Sequence, residues 1–258
     1  LSGLYNSEEL VRLLYFTAEL KRDYGIEILS AKQTDTPNYT YALPSILAGA
    51  GIRYLAVGQN ASVPYRRPEV NPCYWVGPDG SEVLLWHSPA YGESGHTGSS
   101  WRLIQHRIRV AERESGICDA IGCYGLYGDN TVINLNDYRF RLELARAWNR
   151  RWAYPKLVLG TPYDLLHYIE EKFGSKLPRV RGDWGSDWED GAASSARETG
   201  INRRAKNLLA AAETLATIVS AIREDYSYPK KQIDEAYRNV MLYDEHTWGA
   251  STSISEPE

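Results

Sequence analysis

A chain of 258 residues, 43% hydrophobic and 24% charged, can bury a large core, which predicts a globular, soluble protein of one large domain or one domain plus a smaller one. Its 29 basic and 33 acidic residues give a net charge of −4, and the two signs are interspersed along the chain, which excludes the electrostatic footprint of a nucleic-acid binder. No apolar run approaches the roughly 18 residues of a membrane span, no leader signal opens the chain, and an odd number of cysteines (Cys73, Cys118, Cys123) excludes a complete disulfide framework.

The start, LSGLYNSEEL, lacks a methionine and enters a helix almost at once, which suggests that residues precede it. Asn6 followed by Glu9 is a capping-box pattern, and Leu10, Val11, Leu13, Leu14 and Ala18 continue an apolar stripe to Gly25, so this stretch is predicted to be one helix. IEILSA then predicts a short buried strand, TYALPSILAGAG a helix stopping at Gly51, and IRYLAVG a second strand. Strand, helix and strand in such close succession form a βαβ unit, whose parallel sheet presents functional groups at the carboxyl ends of its strands.

NPCYWVGPDGSEVLLWHS departs from that rhythm. Two aromatic and aliphatic runs flank Pro78-Asp79-Gly80, a turn sequence, and predict a β-hairpin. A helix is expected from Ser99 or Ser100 to about Ser115. Its basic cluster from Arg107 to Arg113 is broken by Ile108, Val110 and Glu112 and reads as a solvated face. CDAIGCYGLYG follows as a glycine-punctuated strand, then a helix from about Asp137 to Arg150, KLVLGT as a strand, and a helix from Pro162 to Phe173. This alternation predicts most of a (β/α)7-type barrel, incomplete at its N-terminus.

After LPRVRGDWGSDWEDGAAS the pattern changes. Ala196 to Arg223 reads as one long helix with Leu208, Leu209, Ala212, Leu215, Ile218, Val219 and Ile222 at helical spacing, and Pro229 opens a second helix that ends at YDEHTWGA. An α-helical bundle is expected, with the boundary between Arg181 and Ser195: residues 1–185 form the α/β barrel and residues 186–258 the start of a helical domain. The aromatic set, 8 Trp and 19 Tyr against 3 Phe, suits either core or sugar-facing surfaces, because such a ring covers the apolar face of a pyranose while its polar handle hydrogen-bonds.

Several of these segments together resemble the α-mannosidases of glycoside hydrolase family 38. AKQTDTPNYTYALPSILAGAGIRYLAVGQN is similar to the family's nucleophile segment and NPCYWVGPDGSEVLLW to its Trp-x-Gly-Pro-Asp-Gly hairpin. GDWGSDWEDGAASSARETGINRRAKNLLAAAE resembles its crossing from barrel to helical middle domain, and YDEHTWGA its late histidine motif. The pieces span nearly the whole chain in the family's order. The resemblance implies a zinc-dependent retaining α-mannosidase acting on a carbohydrate substrate, a mannoside or glycan, with neither a membrane nor nucleic acid as partner. It also implies that the full protein has an N-terminal strand and C-terminal domains outside this chain; a homo-oligomer is compatible with it.

Carried over residue by residue, Asp35 is the nucleophile and a zinc ligand. Its place just past a strand agrees, although it can instead cap the helix that begins near Thr40. His246 matches the zinc-ligating histidine of the helical domain; a histidine in the last helical turn can also simply favour the helix dipole. Asp129, in YGDNT, matches the region of the general acid/base, where Asn130 stands in place of the second acid of some members, and a turn-forming role is the alternative. Trp184, Asp187 and Trp188 are expected at the substrate or in packing between the domains. The family's N-terminal His-x-Asp, which supplies two further ligands, is absent: none of His87, His96, His106, His167 and His246 is followed two positions later by aspartate. Half a metal site is therefore expected, and the chain alone is expected to be inactive. Pro37 stands where the family often shows an aromatic. Two other functions fit the same residues: a metal-dependent polysaccharide deacetylase on a related barrel, and a non-catalytic carbohydrate-binding or structural remnant of the fold.

Overall fold

In the computed structural model the described residues are 3–34, 38–58, 66–88, 105, 108–109, 119–122, 135–185 and 190–245. The chain order is α1 (Ser7–Arg12), α2 (Tyr15–Tyr24), β1 (Ser30–Thr34), α3 (Leu43–Gly49), β2 (Tyr54–Gly58), β3 (Cys73–Val76), β4 (Glu82–Ser88), α4 (Leu135–Arg151), α5 (Pro162–Phe173), a 3-10 turn (Gly174–Lys176), β5 (Arg179–Val180), α6 (Asp190–Ser194), α7 (Ala196–Ile222) and α8 (Lys230–Tyr243).

The βαβ unit forms as expected. β1 and β2 pair in parallel, with Thr34 opposite Gly58, and β4 joins β2 in parallel, with Gly58 opposite Ser88, so three carboxyl ends lie level. The hairpin also forms: β3 runs antiparallel to β4, Gly80 takes φ 89°, and the Asp79 carboxylate accepts hydrogen bonds from the Ser81 N–H (2.9 Å) and hydroxyl (2.8 Å). That hairpin changes the architecture. β5 pairs in parallel with β3 and so runs against β1, β2 and β4. The result is a mixed sheet of order β1-β2-β4-β3-β5, open among the described residues, where most of a (β/α)7-type barrel, incomplete at its N-terminus, was expected.

The alternation of side chains along β2 and β4 divides the core between two faces. Leu55, Val57, Val83 and Leu85 join Trp75 and the α3 residues Leu43 and Leu47 on one face; Tyr54, Ala56, Leu84 and Trp86 pack on the α5 residues Leu166 and Ile169 on the other. α5 is placed by a second capping box, in which the Thr161 hydroxyl accepts from the Asp164 N–H while the Asp164 carboxylate accepts from the Thr161 N–H, with Pro162 in the first turn.

Two expected elements differ. The expected N-terminal helix is two helices, α1 and α2, because α1 turns to meet the helical bundle while α2 buries no residue. KLVLGT forms no strand. The Asn149 side chain donates to the Leu157 carbonyl (2.8 Å) and accepts from its N–H (2.9 Å), taking both groups that a neighbouring strand would use.

α7 and α8 pack through Ala216, Ile233, Tyr237 and Val240. α7 is, by length and composition, apolar enough to cross a membrane, contrary to the expectation from the sequence. Its buried Asn202 and Lys206 face α8 and mark a bundle helix. Ile201, Leu208, Leu215 and Ile222 remain exposed at seven-residue spacing along the same helix.

α1 fastens the N-terminus to this bundle. The nearly buried Arg12 guanidinium lies 2.6 Å from the Glu213 carboxylate, 2.7 Å from that of Glu8 and 3.8 Å from the centre of the Tyr237 ring. Beside it the Lys206 ammonium donates to Glu9 (3.0 Å), Asp244 and the Leu4 carbonyl (3.0 Å), and Asn202 donates to Asp244 (2.8 Å). Glu9, Lys206 and Asp244 are all buried. Burial, as the largest cause, pushes the carboxyl groups of Glu9 and Asp244 above the ordinary carboxylate range, against the opposing charge of Lys206.

Candidate functional site

In a parallel sheet the carboxyl ends of the strands are where side chains converge on a ligand. Here that edge is formed by Thr34, Gly58 and Ser88. Asp35 follows Thr34 directly in the sequence but, like Asp129, Asp187, Trp188 and His246, lies outside the described residues. What the structure does describe is the chain on either side of them.

Three contacts bring these flanks together. Tyr39 and Trp184 form a two-way backbone bridge, with Tyr39 N–H to Trp184 carbonyl at 2.7 Å and the reverse bond at 3.1 Å. The Arg66 N–H donates to the Gly185 carbonyl at 2.8 Å. The buried Trp75 indole donates to the Gly182 carbonyl at 2.9 Å, and the Trp184 ring packs on Trp75 with centroids 4.4 Å apart. Segment 182–185 is thereby laid across the chain that follows β1 and the chain that precedes β3. It brings the approach to Asp187 and Trp188 beside the exit from Asp35. Gly185 is required here, since a Cβ would stand 2.7 Å from the Asn38 side-chain oxygen, and Gly182 occupies φ 119°, a region that disfavours other residues. Of the aromatic residues expected at the substrate, Trp184 is thus half-buried with its ring against the core.

Sequence reasoning passed over His87, one residue before the end of β4. It is buried, and the Asn71 side chain brackets its backbone, accepting from the His87 N–H (2.8 Å) and donating to its carbonyl (2.7 Å). Burial, assisted by the positive charge of Arg67, lowers its pKa to about 4, so the imidazole is neutral at pH 7. Its alternation partner Trp86, and the apolar run around it, disguise it in the sequence as a core position. A histidine whose folded pKa lies below the ordinary value of about 6.5 refuses a proton that the unfolded chain accepts. Stability is therefore expected to fall as the pH drops from about 6.5 towards 4, by about 3 kcal/mol in total. Urea unfolding at a series of pH values measures this slope, and His87→Gln removes it if the assignment is right.

Among the described residues no three His, Cys, Asp or Glu side chains gather as a metal site. The buried Lys206 cluster, which sequence patterns did not reveal, ends at Asp244, two residues before His246. It anchors the C-terminal turn of α8, from which that histidine segment departs.

Residues 186–257 match the family model described as the alpha mannosidase middle domain. The chain is 25% identical over 217 residues to alpha-mannosidase 2C1 of Mus musculus, covering 82% of this chain and 20% of that protein. It is 24% identical over 260 residues to the alpha-mannosidase of Saccharomyces cerevisiae, covering 95% of this chain and 23% of that one. The fold matches the crystal structure of an alpha-mannosidase from Enterococcus faecalis V583 with a TM-score of 0.71 at 17% identity, over 96% of this chain and 30% of that one. The chain therefore spans 20% and 23% of the length of these two curated relatives. The chain is thus similar to α-mannosidases, with residues 186–257 matching their middle domain, and it shares its fold with the solved structure.

Proposed function

We propose that this chain supplies the nucleophile-bearing sheet and the start of the middle domain of a zinc-dependent retaining α-mannosidase. Residues 1–185 form the catalytic α/β part and residues 186–258 the helical part. The observation that supports this reading is the backbone bridge between Tyr39 and Trp184, described residues that lie four and three positions in sequence from Asp35 and Asp187.

In this proposal the Asp35 carboxylate attacks the anomeric carbon of an α-mannoside as the glycosidic bond breaks, giving a covalent glycosyl-enzyme. The Asp129 carboxyl group gives its proton to the departing oxygen, then as carboxylate takes one from the water that releases the sugar. Such chemistry requires the two groups about 5–5.5 Å apart. Trp184, Asp187 and Trp188 line the sugar's approach. Asp35 and His246 would hold zinc, whose Lewis acidity would support binding of sugar hydroxyls; a carboxylate and a neutral imidazole suit that ion.

A fluorinated mannosyl fluoride, which forms the covalent intermediate but releases it slowly, tests the assignment on the full-length protein. Mass spectrometry of the digest is expected to find the added sugar on the peptide containing Asp35. Asp35→Asn is expected to lower kcat for an aryl α-mannoside by at least about 10³-fold without unfolding the protein. Labelling of a different carboxylate, or no loss of rate in the variant, overturns the role given to Asp35.

A further inference from the structure

A surface groove of about 390 Å³ lies between the C-terminal end of α4 and Gln105, Ile108 and Arg109, at the lower end of the roughly 300–1,000 Å³ typical of small-ligand sites. Trp148, 3% exposed, belongs to its buried side, whereas Trp152 and Tyr154 are 41% and 71% exposed. The two indole rings stand 6.0 Å apart at an angle of 40°. Gln105 and Arg109 supply polar groups to the lining among the described residues.

The loop carrying the exposed rings is held in place. The Trp148 indole N–H donates to the Pro155 carbonyl at 2.8 Å, and the paired bonds between Asn149 and Leu157 fix the next turn. The Arg151 guanidinium lies 5.6 Å from the centre of the Trp152 ring and stiffens it from the helix side. A tryptophan and a tyrosine on a loop pinned in this way lose little conformational entropy when a ligand stacks on them. Their apolar faces would cover the C–H face of a pyranose, while the Tyr154 hydroxyl, the Gln105 amide and the Arg109 guanidinium can bond its hydroxyls.

We propose that this groove is a carbohydrate-binding site in which a neutral saccharide stacks on Trp152 and Tyr154. Its described lining does not include Trp184. Only the choice of mannose as the sugar rests on the function proposed above.

The test titrates the full-length Asp35→Asn protein with mannotriose, and in parallel with cellotriose and galactotriose, observing the tryptophan indole N–H signals by NMR. The expected result is a saturable shift of the Trp152 and Trp148 signals with at least one of the three sugars. Binding at this groove is expected to weaken ten-fold or more in Trp152→Ala and in Tyr154→Ala, and to be retained in Trp152→Phe. Trp152→Ala should leave the hydrolysis of a short aryl mannoside by the otherwise unaltered protein unchanged. Saturable binding of cellotriose or galactotriose but not mannotriose, with the same dependence on Trp152, supports the groove and counts against the mannosidase reading. No shift of the Trp152 signal with any of the three sugars, or shifts indifferent to both substitutions, overturns the proposal.

Discussion

Lys206→Met is expected to destabilise the protein by about 3–5 kcal/mol, the cost of removing one partner from a buried ion pair. The lysine is 6% exposed and is held between Glu9 on α1 and Asp244 at the end of α8. Methionine fills a similar volume, so the loss arises from two carboxylates left facing one another out of water. The sign of the pH dependence separates this from a packing defect. Both carboxyl groups already have raised pKa values in the native protein, which means that their charged forms oppose folding above the ordinary carboxylate range. Without Lys206 that opposition grows, and protonation relieves it. The difference in unfolding free energy between variant and wild type is therefore expected to shrink as the pH is lowered through the carboxylate range, where a packing defect would give a constant difference. Denaturant titrations at neutral and acid pH measure it. Glu9→Gln combined with Lys206→Met is expected to recover part of the loss.

The second large effect is expected at Trp75. This residue is fully buried, stacks on Trp184 and donates to the Gly182 carbonyl at 2.9 Å. Trp75→Ala should cost about 3–5 kcal/mol, as for other large-to-small changes in a core. It should also loosen one particular segment. Hydrogen exchange of the Tyr39 and Trp184 amides, which bond across the crossing, is expected to quicken in the variant more than that of the α8 amides. Trp75→Phe keeps most of the packing but loses the indole donor, and is expected to retain stability while still releasing the crossing. Equal acceleration at all three places would show that the crossing has no independent link to Trp75.

Local chemistry was legible in the sequence wherever a short pattern fixes the backbone. The capping box at Asn6 and Glu9, the proline-opened helix at Pro162, the turn at Pro78-Asp79-Gly80 and the parallel βαβ unit all stand where those residues require. The barrel was not legible, because strand–helix alternation gives the direction of strands joined by a helix but not the order into which an inserted hairpin places its neighbours. The hairpin reverses β3, β5 follows β3, and the sheet stays open among the described residues. KLVLGT has the composition of a strand, but Asn149, eight residues before Leu157, claims that residue's N–H and carbonyl.

For the candidate site the division is similar. Asp35 was named by the resemblance to family 38, with which its place after a parallel strand is consistent; Asp35, Asp187 and Trp188 lie outside the described residues, where only the flanking Tyr39 and Trp184 are seen to bond. His87 sits within an apolar strand and Lys206 within a helix, so neither has a local signature. Their environments arise from residues distant in the chain, among them Arg67 and Glu9, which no periodicity connects.

The clasp between α1 and the last two helices bears on how the polypeptide emerges during synthesis. Tyr5 donates its hydroxyl proton to the Met241 carbonyl, and Arg12 and Glu9 find their counter-charges only on α7 and α8. α1 therefore keeps its charges solvated until α7, 201 residues further along, has been made. Translation order and native contacts are opposed here, and the sheet can assemble before α1 is joined to α7 and α8.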